Sequence, residues 1–312
     1  MNDLLGVILP VFLVIGFGYL AVWRGWMTDD WTAGLMKFSQ GFAIPCLLFT
    51  AAATLDLQAE LDPLLLIAFY SGSTFGFVSG SLAAYYIFKR PAEDAVVIGF
   101  ACLFANSLLL GLPITERAFG ADALAPNYAI IAFHAMFCYT LGITTMELIR
   151  SRSGERQSLA QTAGKVLKAI FSNSLMIAIL LGFAVNLSGL AVPTAIQDSI
   201  DLVGRSALPT ALFALGGTLF LYRPEGDARV IAMICVITLM VHPAIVWTLA
   251  HVFDLSTGQL RSGVVTAAMA PGVNAYIFAN IYGRAKRVAA SAVLIATALS
   301  VFSSAFWLYV LP

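Results

Sequence analysis

Apolar runs long enough to cross a bilayer recur along this chain from end to end, and two of them are broken near their middles. The first passes from Val96 through Leu103-Phe104-Ala105-Asn106-Ser107-Leu108-Leu109-Leu110-Gly111-Leu112-Pro113 to Gly120. The second passes from Gly263 through Met269-Ala270-Pro271-Gly272-Val273-Asn274-Ala275-Tyr276 to Gly283. In lipid, an unpaired main-chain amide or carbonyl is so costly that such breaks persist only where protein or a water-filled cavity satisfies them. Interrupted spans in matching positions of two halves point to a solute site near the bilayer midplane.

Composition places the chain in the membrane. It is 60% hydrophobic and 11% charged, whereas a soluble domain carries about 25% charged residues. Met1 to Trp23 lacks a basic leader region and a small-residue cleavage site, so it reads as a retained first span. Cys46, Cys102, Cys138 and Cys235 lie inside apolar segments with no C-x-x-C spacing, and read as buried small hydrophobes. His134, His242 and His251 do not group with acids or cysteines at metal-ligand spacing, so no metal site and no bound cofactor is expected.

Hydropathy divides the chain into ten spans, at about 4–23, 31–53, 64–88, 95–119, 125–149, 166–188, 197–221, 229–252, 261–282 and 288–311. Residues 1–150 hold the first five, 151–165 form the longest polar connection, and 166–312 hold the second five. With connections alternating sides, all but three of the 17 basic residues fall on one face, the exceptions being Arg117, Arg205 and Arg261. The excess of Lys and Arg marks the cytoplasmic side. The central loop is therefore expected inside and both termini outside.

An odd number of spans per half implies that the second half is inserted upside down. Phe42-Ala43-Ile44-Pro45-Cys46-Leu47-Leu48-Phe49 in span two aligns with Ser206-Ala207-Leu208-Pro209-Thr210-Ala211-Leu212-Phe213 in span seven. Spans four and nine hold equal ranks in their halves. The fold class expected is an all-α membrane protein of two inverted five-helix repeats, with broken helices four and nine crossing.

At the breaks, Pro113 and Pro271 each remove a helical hydrogen bond, and Gly111 and Gly272 permit non-helical dihedrals. Half-helix amino termini that converge there carry partial positive charge and suit an anion. Asn106, Ser107 and Asn274 supply neutral donors and acceptors, and Tyr276 a hydroxyl or an aromatic wall. The alternative is that Asn106 and Asn274 only cap the broken ends, with no ligand, although capping and binding are compatible roles.

These two segments resemble the fourth- and ninth-span signatures of the auxin efflux carrier family, which includes bacterial malonate and malate carriers. The proline segments at Pro45 and Pro209 resemble its second and seventh spans. The likeness covers essentially the whole chain. It implies the bile-acid/sodium symporter type of fold, with a scaffold of spans 1, 2, 6 and 7, a transport domain carrying the crossed helices, and an elevator-like motion of an organic anion. The short central loop matches bacterial members. Asn106-Ser107-Leu108 stands where the family's Asn-Thr-Gly run is expected.

Ionisable groups near the spans are read singly. Asp201 and Arg205 are four apart on one helical face and are expected to pair, with Arg205 as an accessory anion-attracting group the alternative. Glu116 and Arg117 read as interfacial. Glu147 is expected to pair with Arg150 or snorkel, and Lys37 to reach headgroups. His134 and His242 read as packing histidines or as proton carriers, His134 being a second accessory site residue. Sodium or proton coupling is left open, as is a homodimer through the scaffold helices.

The function expected is secondary transport of a small mono- or dicarboxylate across the plasma membrane, with lipid and a small anion as partners and no nucleic acid. A passive anion channel and a sodium-coupled bile-acid-like symporter are the alternatives; a channel requires a continuous polar stripe that these spans lack. No G-x-x-x-x-G-K-[ST] run supports ATP use. An intramembrane hydrolase requires a nucleophile with a base, and Ser107 has no basic partner in the sequence.

Overall fold

The computed structural model describes residues 2–56, 61–152 and 159–312. Among the described residues, these helices follow one another, apart from short turns. They are α1 (Asn2–Trp23), α2 (Asp29–Thr54), α3 (Pro63–Ile87), α4 (Ala92–Leu103), α5 (Leu112–Phe119), α6 (Ala125–Arg152), α7 (Leu159–Phe171), α8 (Ser174–Ser188), α9 (Thr194–Leu221), α10 (Ala228–Val252), α11 (Thr257–Ala267), α12 (Val273–Tyr282) and α13 (Lys286–Val310). Among the described residues, seven helices are long and apolar enough to cross a membrane: α1, α2, α3, α6, α9, α10 and α13. Their outer faces are apolar, with Leu13, Phe17, Ile67, Phe75, Leu202 and Phe302 all exposed. So large an apolar exterior belongs in lipid, and the chain is an integral membrane protein.

Span six, expected as one helix over 166–188, is two helices. α7 starts at Leu159, inside the stretch expected to be loop; residues 153–158 lie outside those described. The polar triplet Ser172-Asn173-Ser174 separates it from α8. Asn173 caps α8 by accepting from the Leu175 amide at 3.0 Å, and the Ser174 hydroxyl donates to the Gln40 carbonyl at 2.7 Å. A short side chain that competes with the helix for main-chain partners ends α7 and starts α8.

Two sets of helix contacts stand out, and one continuous core runs through both. α1 lies along α9, and α2 lies along α8 and α9. In the other set α3 packs on α4 and α10, α10 on α11, and α13 on α10 and α12, with α6 covering α4 and α11. α1 and α9 approach closely because Gly18 and Gly216 face the partner backbone.

Three of the prolines within apolar helices share one device. Pro45, Pro113 and Pro243 each follow a single π-helical turn: Ser39–Ala43, Ser107–Gly111 and Ile237–Val241. The wider turn shifts the hydrogen-bond register just where the proline lacks an N–H. A carbonyl left over is met from outside: Leu239 O accepts from the Ser303 hydroxyl at 2.9 Å and the Trp307 indole at 3.0 Å.

Charged side chains collect at one end of the bundle. Arg150 and Arg284 both hold Glu93, each at 3.1 Å, and Arg90 holds Asp227 at 2.8 Å. Burial opposes the charge on Glu93, but hydrogen bonds from Arg150, with the Arg284 and Arg150 charges, hold its carboxyl below the usual carboxylate range. Glu147, 3% exposed, pairs with Lys165 at 2.8 Å rather than with Arg150 as expected. The reason is packing: α7 covers Glu147, while Arg150 faces α4 and donates to the Tyr282 carbonyl at 3.3 Å. At the other end Arg117 donates to the Gly6 and Val7 carbonyls, and Arg261 lies 4.6 Å from the Phe119 ring and donates to the Pro312 carbonyl.

Candidate functional site

α4 stops at Leu103 and α11 at Ala267; Phe104 leaves the helix directly, Ala268 leaves it through a turn, and a short non-helical stretch follows each. The two stretches meet. Ala105 and Pro271 form an antiparallel bridge, with Asn106 N–H donating to Ala270 O and Gly272 N–H donating to Phe104 O, each at 2.8 Å. Pro271 lies between those two hydrogen bonds, at a position that needs no N–H of its own, so the proline is accommodated without loss. Each interruption thus satisfies the main chain of the other, as lipid surroundings demand. The first interruption spans Phe104 to Asn106, well before Pro113, which was the residue expected to cause it. Pro113 sits instead in the first turn of α5, behind its π turn.

Helices leave the crossing in two directions. The Ser107 turn leads into α5, and Gly272 leads into α12. At the Ser107 turn the Ser107 amide donates to Ala105 O at 2.9 Å and the Leu109 amide to Asn106 Oδ1, whereas the Val273 amide, first in α12, has no intrahelical carbonyl to donate to. Asn106 is 5% exposed. Its Oδ1 accepts from the Leu109 amide at 3.2 Å, which turns Nδ2 away, and that buried nitrogen has no partner among the described residues. Asn274 Oδ1 accepts from the Tyr139 hydroxyl at 3.1 Å. His134 Nε2 lies 3.1 Å from the Ala105 carbonyl, and Ser107 Oγ donates to the same oxygen at 3.3 Å.

Beside the crossing is a cavity of 70 Å³. Asn106, Ser107, Gly272, Asn274 and His134 line one side, and Gln40 of α2 with Asn173 ahead of α8 line the other, together with Ile44, Leu48 and Ile179. It therefore lies between the crossing and the α2–α8 pair. Space for a few waters, at about 10–15 Å³ each, is space for a small solute.

The remaining expected site residues fall outside this cavity. Pro271 holds the bridge behind it, and Gly111 backs onto Thr266, whose Cα would lie 3.4 Å from an added Cβ. Tyr276 turns away to stack on Tyr222, ring centroids 4.8 Å apart. Arg205 is exposed and lines a separate cavity with Asp201, Glu116 and Tyr128. Asp201 and Arg205 make no ion pair among the described residues; Asp201 accepts instead from Thr50 and Gln197, both at 2.9 Å. His242 is buried elsewhere, against the Phe69 carbonyl and Ser73, each at 3.2 Å. Three contributors were not foreseen. Gln40 and Asn173 had a signal, since each sits in a polar triplet inside an apolar run; Tyr139 had none. No group of three or more His, Cys, Asp or Glu able to hold a metal occurs among the described residues.

An apolar helical bundle with paired interruptions around a small polar cavity is the architecture of a membrane transporter. Residues 3–308 match the membrane transport protein family, and the chain belongs to it; this is the auxin efflux carrier family that its two signature segments resemble. The chain is 26% identical over 316 residues to a Rhizobium meliloti protein named "Putative malonate transporter", covering 100% of this chain and 97% of the relative. It is 27% identical over 312 residues to an uncharacterized transporter of Methanothermobacter thermautotrophicus, covering 97% of each. It is 23% identical over 319 residues to auxin efflux carrier component 5 of Arabidopsis thaliana, covering 88% of this chain and 86% of the relative. The protein is a membrane transporter of this family.

Proposed function

We propose that the chain is a secondary carrier of a small organic anion, a short mono- or dicarboxylate, moved by elevator-type alternating access. The observation that carries this reading is the Asn106 side-chain amide: a buried donor with no partner among the described residues, in a residue that lines the cavity where α12 begins. A buried donor left unpaired costs about 1–3 kcal/mol, which a bound acceptor would return. Helix amino termini favour negative charge. The 70 Å³ volume suits a three- or four-carbon acid and disfavours a bile-acid-sized solute. The name of the Rhizobium meliloti relative points the same way.

In this reading Asn106, Ser107, Gly272 and Asn274 bind the solute, and Gly111, Pro113 and Pro271 shape the crossing. The set of α1, α2, α8 and α9 is the scaffold, and the other set moves against it. Two inverted repeats of five spans each are supported by the equal rank of the two interruptions, which the Ala105–Pro271 bridge brings together. The gathering of Arg90, Arg150, Lys165 and Arg284 at one end supports a cytoplasmic assignment for that end and outside termini. In a cysteine-free background, Arg223→Cys should then react in intact cells only with permeant reagents and Thr257→Cys with impermeant ones; the reverse pattern inverts the topology.

The carrier reading is tested by malonate counterflow in proteoliposomes. Saturable exchange that overshoots equilibrium is expected. Linear flux without counterflow would make the protein a pore instead.

A further inference from the structure

We propose that the cavity holds a second carboxylate subsite facing the crossing, formed by Asn173 and Gln40, so that a solute with an acidic group at each end is gripped from both walls. This subsite rests on the carrier reading and deepens it, narrowing the solute to a short dicarboxylate.

The two walls carry the same arrangement. Asn106 stands ahead of the Ser107 turn on the crossing, and its Oδ1 accepts from the Leu109 amide. Asn173 stands ahead of α8 on the facing wall, and its Oδ1 accepts from the Leu175 amide at 3.0 Å. A carboxamide has one oxygen and one NH2 group, so a cap made by the oxygen decides which end is left over. In both asparagines that end is the nitrogen. Neither nitrogen has a partner among the described residues, and both residues line the one cavity.

Gln40 joins Asn173 on this wall. It lies in the π turn of α2, and its main-chain carbonyl accepts from the Ser174 hydroxyl at 2.7 Å, which fixes that turn against the start of α8. The Gln40 side-chain amide makes no hydrogen bond among the described residues, and like Asn173 it is half-buried. α8 runs for 15 residues behind them, and the partial positive charge at its amino end favours an anion there. Ile44, Leu48 and Ile179 add apolar surface to the same space, which suits the methylene of a diacid. A monocarboxylate held at the crossing by Asn106 leaves the Asn173 and Gln40 donors unused. A diacid engages both walls.

The test is equilibrium binding of malonate and propionate, which carries a methyl group in place of one carboxylate, to the purified full-length protein. The wild type should bind malonate the more tightly. Asn173→Asp keeps the α8 cap but replaces the free donor with negative charge, and Gln40→Leu removes a donor that caps nothing. Each should cut the malonate-to-propionate affinity ratio on the order of tenfold. If capping were the only role of Asn173, the aspartate variant would keep the wild-type ratio. A lowered ratio in either variant supports the subsite, and the pair guards against the failure of one to fold. The wild-type ratio in both, or a wild type that binds the two acids equally, overturns the subsite while the carrier reading stands. A wild type that binds neither acid removes the carrier reading for short acids, and the subsite with it.

Discussion

Asn106→Ala should lower malonate uptake by about one to two orders of magnitude while leaving the folded protein in place. The loss follows from removing one donor to a charged acceptor, worth about 1.5–3 kcal/mol. The fold should survive because the crossing is held by the Asn106 main-chain amide and the Ala270 carbonyl, which the substitution leaves intact. The cap on the Leu109 amide is lost as well, at about 1 kcal/mol, a cost the whole bundle tolerates. Asn106→Asp separates the two roles. Aspartate keeps the cap but replaces the free donor with negative charge in a buried site, so it should fold at least as well as the alanine variant and transport no better. Counterflow in proteoliposomes, scaled to protein monodisperse on gel filtration, measures both. Wild-type exchange by Asn106→Asp would remove this side chain from the binding site.

Gly216→Ala should be among the most damaging single methyl groups that the described residues could take. A Cβ there would stand 1.9 Å from the Ile15 carbonyl oxygen, and one on Gly18 would stand 1.9 Å from that of Phe213. Both obstacles are backbone, which no rotamer change relieves. The α1–α9 pair would have to part along its length, giving up the contacts between the two helices. Overpacking of this kind costs about 1–3 kcal/mol or more. Gly16→Ala on the same helix meets nothing within 4 Å and serves as control. Thermal unfolding in detergent should show Gly216→Ala melting several degrees below both wild type and Gly16→Ala. Equal melting of all three would mean that the close approach is not needed.

Much of this was legible in the sequence, for a physical reason: lipid restricts a chain to helices, so hydropathy alone supplies most spans. The proline rule was the weaker guide. It placed the first interruption at Pro113, but a π turn absorbs that proline, and a second absorbs Pro45 in the same way. The interruption at Phe104 to Asn106 is instead held open by pairing with Ala270 to Gly272. That pairing joins segments far apart in sequence, and no local propensity reports it. Asn106 and Asn274 were foreseen because a polar amide inside an apolar run is conspicuous. Tyr139 was not, because a tyrosine in an apolar helix looks like any other aromatic until its hydroxyl is seen to reach Asn274. Partners among charges were misjudged for the same cause. Asp201 and Arg205 are correctly spaced on one helix, yet α2 offers Thr50 to Asp201 first.

The central claim is that a small carboxylate completes the hydrogen bonding left open where the two non-helical stretches cross. A structure determined with saturating malonate tests it most directly. Density for the dianion is expected within hydrogen-bonding distance of Asn106 Nδ2 and the Val273 amide, in the cavity that Asn274 and Asn173 also line. Malonate bound elsewhere, with the crossing unchanged and that nitrogen still unpaired, would contradict the account.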